Sequence, residues 1–324
     1  MYLEVLMTLK ALCSAGILVA VLSCSDHQDA PSQGIPIEPE PIGVFLDDWT
    51  YSVRPTIEDN FEVAEFRLWI PEAAENLKAL LVVLRGSNTS SLGIPNDSEW
   101  QDYAVSERLG IVGINFKHYG NAEGHYADAT NGSGDAMLKA IDTIMQRHRL
   151  NALRNLPMLM TGFSAGGVYS YYFAQYKPER VIGFTNIRGG AVGGNNQIYV
   201  DVPGLMLIGN NDLESRKEHM IEAVLKNRAL NGNWGYAIEP EADHFWSLDN
   251  SFDLTRAYFS TLMPLRLQAD GVTLSKLKIE DGWLGDNDTK LIHAFFEYPK
   301  DKHTASWIVN ADFGNSWRDY QLTD

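Results

Sequence analysis

The stretch Leu156 to Phe173, LPMLMTGFSAGGVYSYYF, constrains this chain more than any other. A short apolar run after Pro157 has the length and flanks of a buried parallel strand. It turns through Gly162-Phe163-Ser164-Ala165-Gly166-Gly167 and continues as a helix-compatible segment that ends before Pro178. A serine lifted clear of a sheet by so sharp a turn sits on strained backbone. The residues two before and two after it are then crowded together, and only small ones such as Gly162 and Gly166 fit. The helix that starts at the turn aims its first N–H groups at the same point, where they stabilise developing negative charge. A plain Gly-Ser turn carries the same letters. The apolar strand before it and the helix after it separate a nucleophile from a surface serine.

Strand and helix signals alternate around this stretch. Phe61 to Ile70 alternates as an antiparallel strand with one exposed face. Leu77 to Leu84 is a continuous aliphatic run and reads as a central buried strand that leads into Arg85-Gly86-Ser87-Asn88. A helix is expected from Trp100 to Leu109, a strand from Ile111 to Phe116, and a helix from Gly134 to Leu150 with apolar residues at helical spacing. Beyond the central stretch come strands at Val181 to Ile187 and Pro203 to Ile208, a helix from Leu213 to Leu230, and a last strand at Gly235 to Ile238. This rhythm predicts an α/β class: a mostly parallel central sheet with helices on both faces. After about Leu265 the rhythm changes to short segments at Val272 to Ile279, Leu291 to Tyr298 and Ala305 to Val309 and a short helix near Asn315 to Tyr320, with Trp283, Trp307 and Trp317 among them. A piece of that size without disulfides is marginal as a free-standing domain, so residues 266–324 are expected to form an appendage packed on the core.

GFSAGG, in this strand–turn–helix setting, resembles the nucleophile elbow of the α/β-hydrolase fold. The chain is similar to its serine carboxylesterases, the group that includes polyester depolymerases, feruloyl and acetyl-xylan esterases and dienelactone hydrolases. The resemblance spans about Phe45 to Leu265 as a pattern of elements, and it implies the chain order serine, acid, histidine. Asp212, in Gly209-Asn210-Asn211-Asp212 after a late strand, is the implied acid. Helix capping is its alternative role, and Glu214 is the nearest competitor. His244, in Glu241-Ala242-Asp243-His244-Phe245-Trp246 after the last strand, is the implied base. The oxyanion hole is expected to use the N–H of Ala165 and that of Ser87, with Gly86 as the fallback. Arg85 departs from the His-Gly-X pattern of many relatives at this loop. Residues 117–133 should border the mouth, where Tyr119, His125 and Tyr126 read first as solvated loop residues and second as substrate contacts. Trp246 either walls an apolar subsite or packs in the core. The short Gly/Asn-rich connection from Arg188 to Val202 leaves no room for a large helical lid.

No motif calls for a cofactor or a metal. H-E-x-x-H and paired cysteines are absent, and Asp286-Asn287-Asp288 lacks the rest of a calcium loop. The net charge of −16 disfavours nucleic acid and anionic surfaces as partners. The N-terminus reads as a lipoprotein signal peptide over residues 1–23. Lys10 precedes an apolar run that ends in Val21-Leu22-Ser23-Cys24, similar to a bacterial lipobox with Cys24 as the lipidated residue. The run is too short to span a bilayer, so membrane contact is expected only through the lipid. Residues 24–41 carry Pro31, Pro36, Pro39 and Pro41 and read as a flexible tether, and residues 42–265 as the hydrolase domain. The only other cysteine, Cys13, lies inside the signal, so the folded part can hold no disulfide. The expected activity is hydrolysis of carboxylic esters outside the cytoplasm, on acylated or feruloylated polysaccharide fragments or polyesters. A serine peptidase and a catalytically silent hydrolase-fold binding lipoprotein are the alternatives.

Overall fold

The computed structural model describes residues 42–72, 76–120, 125–190 and 200–322. The expected signal, Cys24 and the tether lie outside these residues. So do most of the Arg188–Val202 connection and the Gly/Asn-rich part of it on which the absence of a lid was argued.

Nine strands form one sheet: β1 (Gly43–Phe45), β2 (Thr50–Val53), β3 (Val63–Trp69), β4 (Ala79–Leu84), β5 (Leu109–Lys117), β6 (Met158–Phe163), β7 (Val181–Ile187), β8 (Gly204–Gly209) and β9 (Trp234–Glu239). Their order is β1-β2-β3-β5-β4-β6-β7-β8-β9. The pairs from β1 to β5 along the edge are antiparallel, and every pair from β5 across to β9 is parallel. Strands β4, β7 and β8 are buried throughout, while β3 alternates between buried and half-buried residues. Continuous aliphatic runs and alternating ones therefore separate the doubly covered parallel strands from the singly covered antiparallel edge.

The two faces of β4 show how the layers divide. Leu80, Val82 and Leu84 join a core with Met137, Ile141 and Ile144 of α2 (Ser133–Arg147), Tyr169 and Phe173 of α3 (Ala165–Tyr176) and Met220 and Val224 of α4 (Glu214–Ala229). Ala79, Leu81 and Val83 join a second core on the other face. It contains Trp100 and Ala104 of α1 (Ser98–Glu107), Phe252, Phe259 and Leu262 of α5 (Asp249–Arg266), and Phe313 and Trp317 of α6 (Ala311–Tyr320). Side chains alternate across a strand, so a run such as ALLVVL feeds both layers at once. The crossing of β4 and β5 in the order, with helices on both faces, is the arrangement of the α/β-hydrolase fold.

Residues after Arg266 add a three-stranded antiparallel sheet of β10 (Trp283–Gly285), β11 (Ile292–Ala294) and β12 (Ser306–Ile308), followed by α6. Residues 272–279 form no named strand; a single bridge, Leu267 to Leu274, stands there instead. The segment is joined to edge strand β9. Tyr236 N–H donates to Ser306 Oγ at 2.9 Å, Ser306 Oγ donates back to Tyr236 O at 3.1 Å, and Trp317 Nε1 donates to Tyr236 O at 2.6 Å. Hydroxyl and indole groups thus occupy backbone groups that a bare sheet edge would leave open. Buried Arg228 of α4 reaches the same segment, donating to Ala305 O at 3.1 Å and Lys302 O at 3.2 Å.

Candidate active site

Ser164 occupies the bend between β6 and α3 with φ 55° and ψ −124°. Few L-residues adopt this region, at a cost of about 1–3 kcal/mol. The close approach expected of Gly162 and Gly166 holds: a side chain on Gly162 would strike the Gly166 backbone, and one on Gly166 would come within 2.6 Å of Arg85 O and Leu84 Cβ. The bend is secured from both sides. Ser164 N–H donates to Ile187 O at 2.9 Å, and Ser164 O accepts from Gly167 N–H at 2.9 Å and Val168 N–H at 3.1 Å.

Ser164 Oγ lies 3.2 Å from His244 Nε2, and His244 Nδ1 lies 3.2 Å from Asp212 Oδ2. Three residues spread over the C-terminal ends of β6, β8 and β9 are brought into one chain of contacts. Asp212 is buried and does not cap α4: Leu213 occupies the N-cap, and Asp212 Oδ1 accepts the Leu213 N–H at 2.7 Å. Glu214, the competitor, is in the first turn of α4, paired with Lys217 at 2.8 Å and turned to solvent. Ala165 opens α3, so its N–H is among the helix amides that lack an intrahelical acceptor. Gly86 sits against the nucleophile; a Cβ there would be 3.4 Å from Ser164 Cβ. The Arg85–Asn88 loop therefore borders Ser164 through Gly86.

Several residues that hold this arrangement escaped the sequence. Asn88, with φ 56°, and His118 bind each other twice: Asn88 Nδ2 to His118 Nε2 at 2.8 Å, and His118 N–H to Asn88 Oδ1 at 3.2 Å. Tyr126, expected at the mouth, is instead buried beneath the same loop, its hydroxyl donating to Gly86 O at 3.4 Å. Burial pushes that phenol up to about 12. Tyr119 is exposed. The His125 side chain is outside the described ones. Arg188, fully buried with φ 50°, donates to Glu239 Oε2 at 2.6 Å, Trp246 O at 2.9 Å and Ser247 O at 3.2 Å. It ties the loop that carries His244 to the end of β9. The only hint in the sequence was a cation directly after the apolar run Val181–Ile187.

Arg216 is the third unforeseen group. Its Nη1 makes an ion pair with Asp212 Oδ1 and lies 2.9 Å from His244 Nδ1. Nδ1 can donate its proton to Asp212 or, when bare, accept one from Arg216, but not both. The base-competent form carries the proton on Nδ1 and leaves Nε2 free to accept from Ser164. Burial lowers the His244 pKa below its ordinary 6.5; the hydrogen bond to Asp212 works against this, and the charges of Arg216 and Arg188 add to it.

A cleft of about 400 Å³ opens beside the serine, lined by Arg85, Gly86, Phe163, Phe245, Trp246 and Phe252 among others. Trp246, for which a subsite wall and core packing were both open, is part of this lining and is 47% exposed. Asp286 is not arranged as a metal ligand. Its carboxylate accepts from the N–H groups of Asp288 and Thr289, from Tyr298 Oη at 3.1 Å and from Lys300 Nζ at 2.8 Å.

No protein-family model and no curated protein matches the chain. Solved structures do. A thermostable esterase is similar at 15% identity over 62% of this chain, with a TM-score of 0.43; the chain spans 56% of that protein's length. LpqC, a poly(3-hydroxybutyrate) depolymerase from Bordetella parapertussis, is similar at 12% identity over 70% of this chain and 90% of its own, with a TM-score of 0.48. A putative alpha/beta hydrolase from Agrobacterium tumefaciens is similar at 15% identity over 68% and 98%, with a TM-score of 0.45. By its own strand order and its strained serine turn, the chain has the α/β-hydrolase fold.

Proposed function

We propose that the protein is a serine hydrolase that cleaves carboxylic esters. The observation that carries this reading is the contact chain Ser164–His244–Asp212 on a strained strand-to-helix turn. In this mechanism His244 Nε2 takes the Ser164 proton as Oγ attacks the ester carbonyl. Asp212 holds the Nδ1 proton and stabilises the imidazolium that forms. The N–H groups of Ala165 and Ser87 receive the tetrahedral oxyanion at the N-terminus of α3. His244 then protonates the leaving alcohol, and the acyl-enzyme is hydrolysed by a water that His244 deprotonates in turn. The lipobox-like Leu22-Ser23-Cys24 supports an exported, lipid-anchored location and thus a substrate met outside the cytoplasm, such as an acylated polysaccharide fragment or a polyester. Among the described residues no helix is long and apolar enough to cross a membrane.

The test is hydrolysis of p-nitrophenyl acetate and butyrate by the wild-type chain and by Ser164→Ala, His244→Ala and Asp212→Asn, each checked for folding. Turnover by wild type, with losses of about 10³-fold or more in each variant, supports the triad. Folded wild type that turns over no ester and takes no fluorophosphonate label at Ser164 overturns the enzyme reading. Cleavage of peptides but not esters moves the reading to a peptidase.

A further inference from the structure

The cleft beside Ser164 has a composition that general ester hydrolysis does not call for. Four aromatic rings line it: Phe163, Phe245, Trp246 and Phe252. Phe245 is 85% exposed and Trp246 47%, so these two offer apolar ring surface to whatever enters, while Phe163 is half-buried and Phe252 buried behind them. The walls are fixed. Phe163 lies 4.9 Å from the His244 ring, Phe252 is buried edge-on against Trp100 at 5.0 Å, and Arg188 holds the backbone of Trp246. The cleft adjoins Ser164 through Phe163, its neighbour in the chain, and through Gly86, which borders it.

Arg85 stands in the same cleft, its guanidinium 5.6 Å from the Phe252 ring centre. The arginines nearby are neutralised: Arg188 by Glu239, Arg216 by Asp212, and Arg256 by Glu99 and Asp253. Arg85 has no carboxylate within ion-pair distance among the described residues. The other charged group of the cleft, Asp249, accepts from Ser247 Oγ at 2.8 Å and sits in the first turn of α5. The cleft is therefore lined by one cation without a carboxylate partner, Arg85, by one acid, Asp249, and by aromatic rings. A half-buried guanidinium stacked on a ring keeps its planar fork of N–H donors for a carboxylate, and a preformed fork of this kind favours bidentate recognition.

Resting on the esterase reading above, we infer that the substrate is an aromatic hemiester: a ring that carries the scissile ester and also a free carboxylate, the ring between the aromatic walls and the carboxylate on Arg85. The chemistry of the site accounts for both parts. The rings recognise the flat apolar body, and Arg85 offsets the repulsion that an anion meets in a chain of net charge −16.

The experiment compares kcat/KM of the full chain for monomethyl terephthalate with that for its neutral isostere, methyl 4-carbamoylbenzoate, with p-nitrophenyl acetate as the control. The ratio is read within each protein, so a general change in activity cancels. The wild type should favour the hemiester by about 10-fold to 100-fold, as expected for a hydrogen-bonded charge. The ratio should fall close to one in Arg85→Gln, stay partly above one in Arg85→Lys, and shrink with added salt. A wild-type ratio near one, or an unchanged ratio in Arg85→Gln, overturns the assignment of Arg85 and leaves ester hydrolysis standing. Turnover of p-nitrophenyl acetate with neither aromatic ester accepted overturns the hemiester class. Inertness toward all three, without labelling of Ser164, overturns the underlying reading as well.

Discussion

The guanidinium of Arg216 lies 2.9 Å from Nδ1 of His244, on the nitrogen that Asp212 also approaches at 3.2 Å. A cation here disfavours the imidazolium, in the same direction as the burial that lowers the His244 pKa.

The pH profile carries the consequence. In the proposed mechanism His244 serves as a base only when neutral, so kcat/KM should be lost as pH falls through its pKa, which lies below the ordinary 6.5. Replacing Arg216 by Met removes a positive charge and should move this acid limb to higher pH. A kcat/KM profile whose limb stays in place or moves down would sink the idea that Arg216 tunes the base.

Arg188 and Glu239 form an ion pair with almost no solvent contact. Glu239 also accepts from Asn250 Nδ2 at 3.0 Å and Tyr320 Oη at 3.2 Å, so one carboxylate links the His244 loop, α5 and α6. Arg188→Met strands that carboxylate in the interior, and Glu239→Leu strands the cation. Each should lower unfolding stability by about 3–5 kcal/mol in denaturant titrations. The double replacement Arg188→Met with Glu239→Leu should cost less than the sum of the singles, since no buried charge is then left alone. Additive losses would show that the pair is not coupled.

Trp317 tests whether the C-terminal segment and the hydrolase core share one folding unit. It is fully buried, belongs to the core on the α1–α5 face, and donates to Tyr236 O in β9. Trp317→Ala should cost about 3–5 kcal/mol and shift a single unfolding transition. If a separate early transition appears while the rest melts as in wild type, the segment folds by itself.

At the N-terminus, the expected lipid attachment has a direct readout. Cells fed labelled palmitate should label the wild-type chain and not Cys24→Ala, and the variant should leave the membrane fraction. Equal labelling of both would discard Cys24 as the modified residue.

Much of the fold was legible in the sequence because its strands are buried on both faces. Val181–Ile187 coincides with β7 residue for residue, and Leu77–Leu84 contains β4. The two short strands β1 and β2 carried no such signal: with three and four residues they have too little length for an alternation to show. Val272–Ile279, one of the short segments after Leu265, forms no strand of the sheet. It has only the bridge from Leu274 and packs Leu274, Leu277 and Ile279 against the core without a ladder.

The sequence by itself determined the place of the sharp turn that carries Ser164, because Gly162 and Gly166 answer a purely local steric demand that any reader of the chain can check. It also ordered Asp212 and His244 after late strands, since a parallel sheet delivers the ends of its strands to one edge. What surrounds them was decided only by the tertiary structure. Arg188 reaches a carboxylate 51 positions later, Asn88 pairs with His118 across 30, and Arg85 meets the ring of Phe252 on a helix far along the chain. Such pairings follow from which strand ends become neighbours and how far side chains extend. No local period or motif records either quantity.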